Sequence, residues 1–286
     1  MLRPTEIARL RTGTVEYRHE HHGPATVLIC HGGHLRAEVS LGEQPLTAAG
    51  FSILVPSRPG YGRTPTAWSD PSRTAVLLAE LCSHLGIDRV AVLGISAGAP
   101  LAVALAARHP ELVSALVLQS PRSSLAWPDL LTRVSGALAF HPMTQMLTWT
   151  AMQASMSLFP GHGLRTTLGA MSTLPAHQVV ADLTPAERAA VQRLFRVMRS
   201  DQGFQLDLEL SPDPHLEAAV SQPTLVVASP TDAAVPYKHA QHLARAIPDS
   251  TLWPSPSLSH LIWYGTGARA TAQRTVDFLA RAPLNR

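Results

Sequence analysis

Short apolar runs bounded by turn residues recur through the first part of the chain, with stretches of helical spacing between them. Thr14–Glu20 alternates apolar and polar positions, the pattern of a half-buried strand. Ala25–Cys30, Phe51–Val55, Val90–Leu93 and Leu112–Leu118 are nearly continuous apolar runs, as strands covered on both faces require. Ser72–Gly86 places Val76, Leu77, Leu81 and Leu85 at helical spacing and stops at a glycine. Ala97–Arg108 is almost all Ala, Leu and Val with no breaker after Pro100, which predicts a second helix. Strands alternating with helices predict a mostly parallel sheet with helices on both faces.

The alternation stops after Gln119. Val134–Ala181 carries one charged residue, Arg165, and every methionine except Met1 falls between Met143 and Met198. Thr184-Pro185-Ala186-Glu187 is a capping box with proline at the first helical position. Val191, Leu194, Phe195 and Met198 then mark an apolar face, and Arg188, Gln192, Arg196 and Arg199 mark a face expected to be solvated. Residues 122–213 are therefore expected to form a helical cap inserted into a core made of residues 1–121 and 214–286. Its methionines suit either cap-to-core packing or an adaptable apolar pocket, with Met152 and Met156 as candidate substrate contacts. The alternation resumes with a strand at Thr224–Ala228, a helix at Tyr237–Ala246, a short strand at Thr251–Trp253 and a helix at Arg269–Arg281.

Composition narrows the classes. The chain has 286 residues, 45% of them hydrophobic and 15% charged, which excludes disorder as the main state. The net charge is +3, yet no arginine cluster interleaves with aromatics, so no nucleic-acid partner is expected. Cys30 and Cys82 lie inside apolar segments and read as buried hydrophobes rather than a disulfide. No basic-then-apolar segment opens the chain and no apolar run reaches membrane-spanning length. A cytoplasmic protein without stable membrane insertion is expected. His19, His21 and His22 precede Gly23-Pro24 and read as a solvated hairpin, since no cysteine or carboxylate set joins them to hold a metal.

The chemistry gathers at Gly94-Ile95-Ser96-Ala97-Gly98, a G-x-S-x-G pattern between a strand and a helix. A serine thrown out on a sharp turn needs small neighbours two residues away, and glycine meets that need. The helix beginning at Ala97 points free N–H groups at any anion forming beside Ser96. Serine needs a base, and the base needs a carboxylate to hold its tautomer. Asp232 follows the strand Thr224–Ala228, and His260 ends the loop after the last strand. The order Ser96, Asp232, His260 is the one this strand–turn–helix class uses. The N–H groups of Ala97 and Gly33 are the candidate oxyanion donors, and His34 is a candidate donor and substrate contact.

These residues, with Arg58-Pro59-Gly60-Tyr61-Gly62-Arg63-Thr64 and Val235-Pro236, resemble the capped subgroup of the α/β-hydrolase superfamily over nearly the whole chain. The resemblance implies the α/β-hydrolase fold, an eight-stranded, mostly parallel sheet with a helical cap after strand six. It also implies hydrolase activity, with Ser96 as nucleophile, His260 as base and Asp232 as acid, and no cofactor. Two positions depart from the pattern: Pro56-Ser57-Arg58-Pro59 replaces the frequent Asp-x-Arg-Gly, and Ser259 stands where glycine usually precedes the histidine. The expected function is a carboxylesterase-like serine hydrolase of a small, largely apolar substrate. The alternatives are a carbon–carbon bond hydrolase of ring-cleavage products and a non-catalytic ligand-binding protein on the same fold.

Overall fold

A computed structural model of the chain describes residues 2–128, 130–141 and 143–282. Its strands are β1 (Glu6–Arg9), β2 (Thr14–Glu20), β3 (Thr26–Cys30), β4 (Ser52–Pro56), β5 (Val90–Ile95), β6 (Val113–Gln119), β7 (Thr224–Ala228) and β8 (Ser250–Pro254). They form an eight-stranded sheet in the order β1-β2-β4-β3-β5-β6-β7-β8. β1 with β2 and β2 with β4 are antiparallel, and the other neighbours are parallel.

The apolar runs become central strands because side chains alternate between two cores. Val90 and Val92 of β5 enter one cluster with Leu28, Cys30, Leu116 and Val226. Ala91, Leu93 and Ile95 enter the opposite cluster with Val27, Ile29, Val117, Leu225 and Val227. Shifting any of these strands by one residue would exchange the two sets. The first cluster is covered by α2 (Pro71–His84), α3 (Ala99–Arg108) and α11 (Lys238–Ala246). The second is covered by α1 (Gln44–Ala48) and α12 (Ala268–Ala280). Cys30 and Cys82 are both free and buried, and burial pushes each thiol up to about 12.

Between β6 and β7 the described residues form α4 (Leu130–Ala139), α5 (Gln145–Leu158), α6 (Pro160–Gly169), α7 (Ala176–Asp182), α8 (Pro185–Val197), α9 (Gly203–Glu209) and α10 (Pro214–Ala218). The capping box at the start of α8 is complete: Thr184 Oγ1 accepts the Glu187 N–H at 3.2 Å, and Glu187 Oε2 accepts the Thr184 N–H at 2.8 Å. The other oxygen of Glu187 accepts the Gly265 N–H at 2.9 Å, so the cap also fastens the insertion to the loop before α12. A third apolar cluster joins Trp149, Met156, Leu164, Val191, Leu194 and Phe195 of the insertion to Leu35, Val39, Leu41 and Leu261 of the core loops. Among the described residues no helix is long and apolar enough to cross a membrane.

Two elements are not expected from the sequence, and one expectation needs amendment. β1 is not anticipated by the pattern, because only Ala8 of its four residues is buried on this sheet edge. α1 is five residues long, too short for a periodic signal. The polar face of α8 is only partly solvated: Arg196 and Arg199 are exposed, but Arg188 and Gln192 are half-buried, and Arg188 Nε donates to the Val180 carbonyl at 3.1 Å.

Candidate active site

Ser96 lies directly after β5, at φ +50° in the left-handed region, and is followed by a tight turn over Ser96–Gly98 that leads into α3. Such a backbone at a non-glycine residue stores strain and is held only where its surroundings fit closely. They do. A Cβ on Gly94 would come 2.6 Å from that of Ala102, and one on Gly98 would come 2.2 Å from the Cys30 carbonyl oxygen. The two flanking glycines thus let β5, α3 and the end of β3 crowd together and push Ser96 outward. The Ser96 carbonyl accepts the Arg122 N–H at 3.1 Å, which braces the turn from the segment after β6.

The parallel strands present their carboxyl ends on this same edge, and the loops after β7 and β8 bring Asp232 and His260 to Ser96. His260 Nε2 is 3.1 Å from Ser96 Oγ, and His260 Nδ1 is 2.7 Å from Asp232 Oδ2. The other Asp232 oxygen accepts the Val235 N–H at 2.9 Å, so the carboxylate is held at both ends. Ser120 Oγ donates to the His260 carbonyl at 3.0 Å. Asp232 is 2% exposed, His260 8% and Ser96 9%, so the line is nearly closed to water. A hydroxyl, an imidazole and a buried carboxylate in this arrangement can raise a serine to a nucleophile, with the carboxylate fixing the tautomer. Asp129, the other aspartate near β6 in sequence, lies outside the described residues.

The loop after β3 supplies His31, Gly32, Gly33 and His34. Gly32 lies against the Ser96 side chain. Among the described residues neither the Gly33 nor the Ala97 N–H donates to a protein acceptor, whereas the His34 N–H is turned toward the Tyr61 hydroxyl at 3.4 Å. Preorganised N–H donors of this kind stabilise an oxyanion without reorganisation.

Sequence reasoning missed the network beneath this loop. Arg58 makes a two-pronged, buried ion pair with Asp207 of α9, at 2.6 and 2.9 Å. Tyr61 donates to the same carboxylate at 2.6 Å. The Arg58 N–H donates to His31 Nε2 at 2.9 Å, and Arg58 Nε donates to the His31 carbonyl at 2.8 Å. Since Nε2 accepts, the His31 proton sits on Nδ1 and is given to the Gly32 carbonyl at 2.8 Å. Burial, with the Arg58 charge beside it, holds this imidazole well below the usual histidine range. Arg58 keeps the arginine of the Asp-x-Arg-Gly pattern, from which the chain departs at Pro56 and Pro59; its guanidinium anchors the loop, and its partner comes from the insertion.

Of the candidate substrate contacts, His34 is half-buried among aromatic rings. Met152 is half-buried against the third apolar cluster. Met156 corrects the expectation: it is 0% exposed and packs on Gly163 of α6, so it fills the insertion's own core. A cavity of about 260 Å³ is lined by Asp70, Pro100, Arg108, Asp213 and Glu217, and none of Ser96, Asp232 and His260 lines it. Among the described residues no three His, Cys, Asp or Glu side chains converge as a metal site.

Fold and comparison agree. The α/β hydrolase fold family profile matches residues 25–263, and the chain belongs to that family. It is 31% identical over 284 residues to the uncharacterized hydrolase YcgS of Bacillus subtilis (strain 168), covering 98% of this chain and 99% of that one. It is 30% identical over 250 residues to a pimeloyl-[acyl-carrier protein] methyl ester esterase of Aromatoleum aromaticum, covering 82% of this chain and 92% of that one. An α/β hydrolase fold protein from Nakamurella multipartita superposes with a TM-score of 0.82 at 25% identity, covering 96% of this chain and 99% of that one. Homologues of this kind make the protein a hydrolase.

Proposed function

We propose that the protein is a serine hydrolase of carboxylesterase type, cleaving an ester or amide of a small, largely apolar substrate through an acyl-enzyme. The observation that carries this reading is the unbroken line from Ser96 Oγ through His260 to Asp232, at 3.1 and 2.7 Å. Ser96 Oγ attacks the carbonyl carbon while His260 Nε2 takes its proton. The carbonyl oxygen, now negative, is held by the Gly33 and Ala97 N–H groups. His260 passes the proton to the leaving alcohol or amine as the tetrahedral adduct collapses. Water then repeats the sequence on the acyl-enzyme and releases the acid. Asp232 orients His260 and stabilises its charged form.

Residues 122–213 serve in this reading as a cap, and the scarcity of charge in Val134–Ala181 supports an apolar acyl or alcohol part. The relative named as a methyl ester esterase supports an ester over an amide. The test is a panel of esters, amides and ring-cleavage dienones assayed with the native protein and with Ser96→Ala. Ester turnover that vanishes in Ser96→Ala is the expected result. A dienone consumed faster than any ester moves the assignment to carbon–carbon bond hydrolysis, and turnover retained in Ser96→Ala overturns the mechanism.

A further inference from the structure

His34 follows Gly33 in the loop after β3 and sits in the left-handed region at φ +61°. Three aromatic rings box its imidazole: Phe204 at 4.0 Å, Phe140 at 4.6 Å and Trp149 at 5.2 Å between centroids. Phe204 also lies against Gly33, so ring and oxyanion loop share one surface. The His34 carbonyl accepts the Arg199 N–H at 3.0 Å, which ties the residue to the end of α8.

The hydrogen bonds fix which nitrogen carries the proton. His34 Nδ1 is 2.8 Å from Ser200 Oγ, and Trp149 Nε1 is 3.0 Å from the same oxygen. An indole nitrogen can only donate. Ser200 is 0% exposed, so its own proton needs an acceptor inside the protein, and His34 Nδ1 is the one within reach among the described residues. The chain of donors therefore runs from Trp149 to Ser200 to His34 Nδ1, which leaves the imidazole proton on Nε2. Burial lowers the His34 pKa to about 4, so the ring is neutral at pH 7. His34 Nε2 has no partner among the described residues, and the residue is half-buried rather than fully enclosed. The result is a fixed N–H donor on the residue that follows Gly33, with no acceptor among the described residues.

A directed donor in an aromatic box selects its acceptor. A second carboxylate there would lose its hydration without gaining a cation, because the nearby Arg58 is already paired with Asp207. A neutral carbonyl oxygen carries no such penalty. We propose that His34 Nε2–H donates to a neutral oxygen, a keto or ester carbonyl, on the acyl part of the substrate, and so selects oxo-substituted acyl chains over plain alkyl ones. This rests on the ester-cleavage reading above and names its substrate class.

The test has two arms. The first compares kcat/KM for matched p-nitrophenyl esters, 4-oxopentanoate against pentanoate and 5-oxohexanoate against hexanoate. The oxo-to-alkyl ratio cancels general effects on folding or on Ser96. Ser200→Ala frees the tautomer, and His34→Asn tolerates the left-handed backbone but loses the reach. Loss of one neutral hydrogen bond lowers the ratio about fivefold in His34→Asn, and Ser200→Ala, which leaves the Nε2–H form partly populated, lowers it less. The second arm needs no turnover. Nitrogen-15 spectra of the Ser96→Ala protein report the His34 tautomer, and its Nε2 resonance is expected to shift with the oxo ester and not with the alkyl ester. A proton on Nδ1, or an Nε2 signal and a ratio indifferent to the oxo group, overturns the assignment. Cleavage with an indifferent Nε2 sinks only the role of His34. An Nε2 response without any ester cleavage sinks only the hydrolase reading.

Discussion

The carbonyl oxygen of Met171 accepts the backbone N–H of His260 at 2.9 Å, so a residue between α6 and α7 holds His260 at the sheet edge. The same oxygen lies 3.4 Å from the Ala233 nitrogen, next to Asp232 in the chain. Ser172 bridges Asp232 in antiparallel fashion, Thr173 N–H donates to the Thr231 carbonyl at 2.8 Å, and Ser172 Oγ donates to the Leu258 carbonyl at 2.5 Å. Residues 171–173 are thus an extended strap stitched to both loops. Ser172→Ala removes one of these bonds, worth about 1 kcal/mol, so kcat on an ester is expected to fall about fivefold with KM little changed. An unchanged kcat would mean that the two loops hold Asp232 and His260 without help.

Under the proposed mechanism a fluorophosphonate labels the protein once, at Ser96, and Ser96→Ala removes the label. Asp232→Asn permits the wrong imidazole tautomer and lowers kcat by about ten-thousand-fold, while Asp129→Asn leaves it near normal. Collapse of Asp129→Asn with normal Asp232→Asn would transfer the acid to the start of the insertion.

The ion pair between Arg58 and Asp207 is buried on both sides, at 7% and 4% side-chain exposure. Removing one partner strands the other charge. Asp207→Leu is expected to cost roughly 3–5 kcal/mol in urea unfolding, and the double variant Arg58→Met, Asp207→Leu to recover much of it. A double variant as unstable as the single one would show that Tyr61 and the His31 loop, rather than the lone charge, carry the loss.

Stability is expected to fall as pH drops from about 6.5 toward 4. His239 is buried, with Nδ1 accepting the Ser123 N–H at 3.2 Å, and burial lowers its pKa to about 4. His34 behaves likewise. Unfolded histidine takes up its proton near 6.5, so between these values the unfolded chain binds more protons and gains on the folded one. Each such histidine contributes a slope of up to about 1.4 kcal/mol per pH unit. His239→Asn, compared with the native protein in urea titrations from pH 7 to 4, should show a shallower decline. Parallel declines would mean that other groups set the acid limit.

Much of this was readable in advance because it is local. The strand–turn–helix at Ser96 carries its glycines with it, and Asp232 and His260 fall in loops after apolar runs. The capping box at Thr184 spans four consecutive residues. Other features have no local trace. Asp207 sits in Phe204-Gln205-Leu206-Asp207-Leu208-Glu209 like any helix-surface acid, and its partner Arg58 is 149 positions away. The strap works mostly through backbone groups, which every residue type possesses. Ser200 acquires meaning only when Trp149 and His34 close on it from 51 and 166 positions away. Met156 has the right chemistry for a pocket wall, but periodicity could not tell which side of α5 meets α6.

The parallel pairing of β6 with β7, from Leu116 with Thr224 to Gln119 with Val227, uses no residue of the helices between them. Lengthening a flexible connection costs little, about 0.6 kcal/mol for each doubling. A chimera carrying a relative's helices in place of these could therefore keep its sheet and its serine turn. What the graft could not omit is a short extended segment in place of residues 171–173 and an acid in place of Asp207. The divide between exchangeable and obligatory sequence runs through the insertion itself, and under the proposed mechanism recombination that respects those two footholds is expected to alter selectivity while leaving ester cleavage in place.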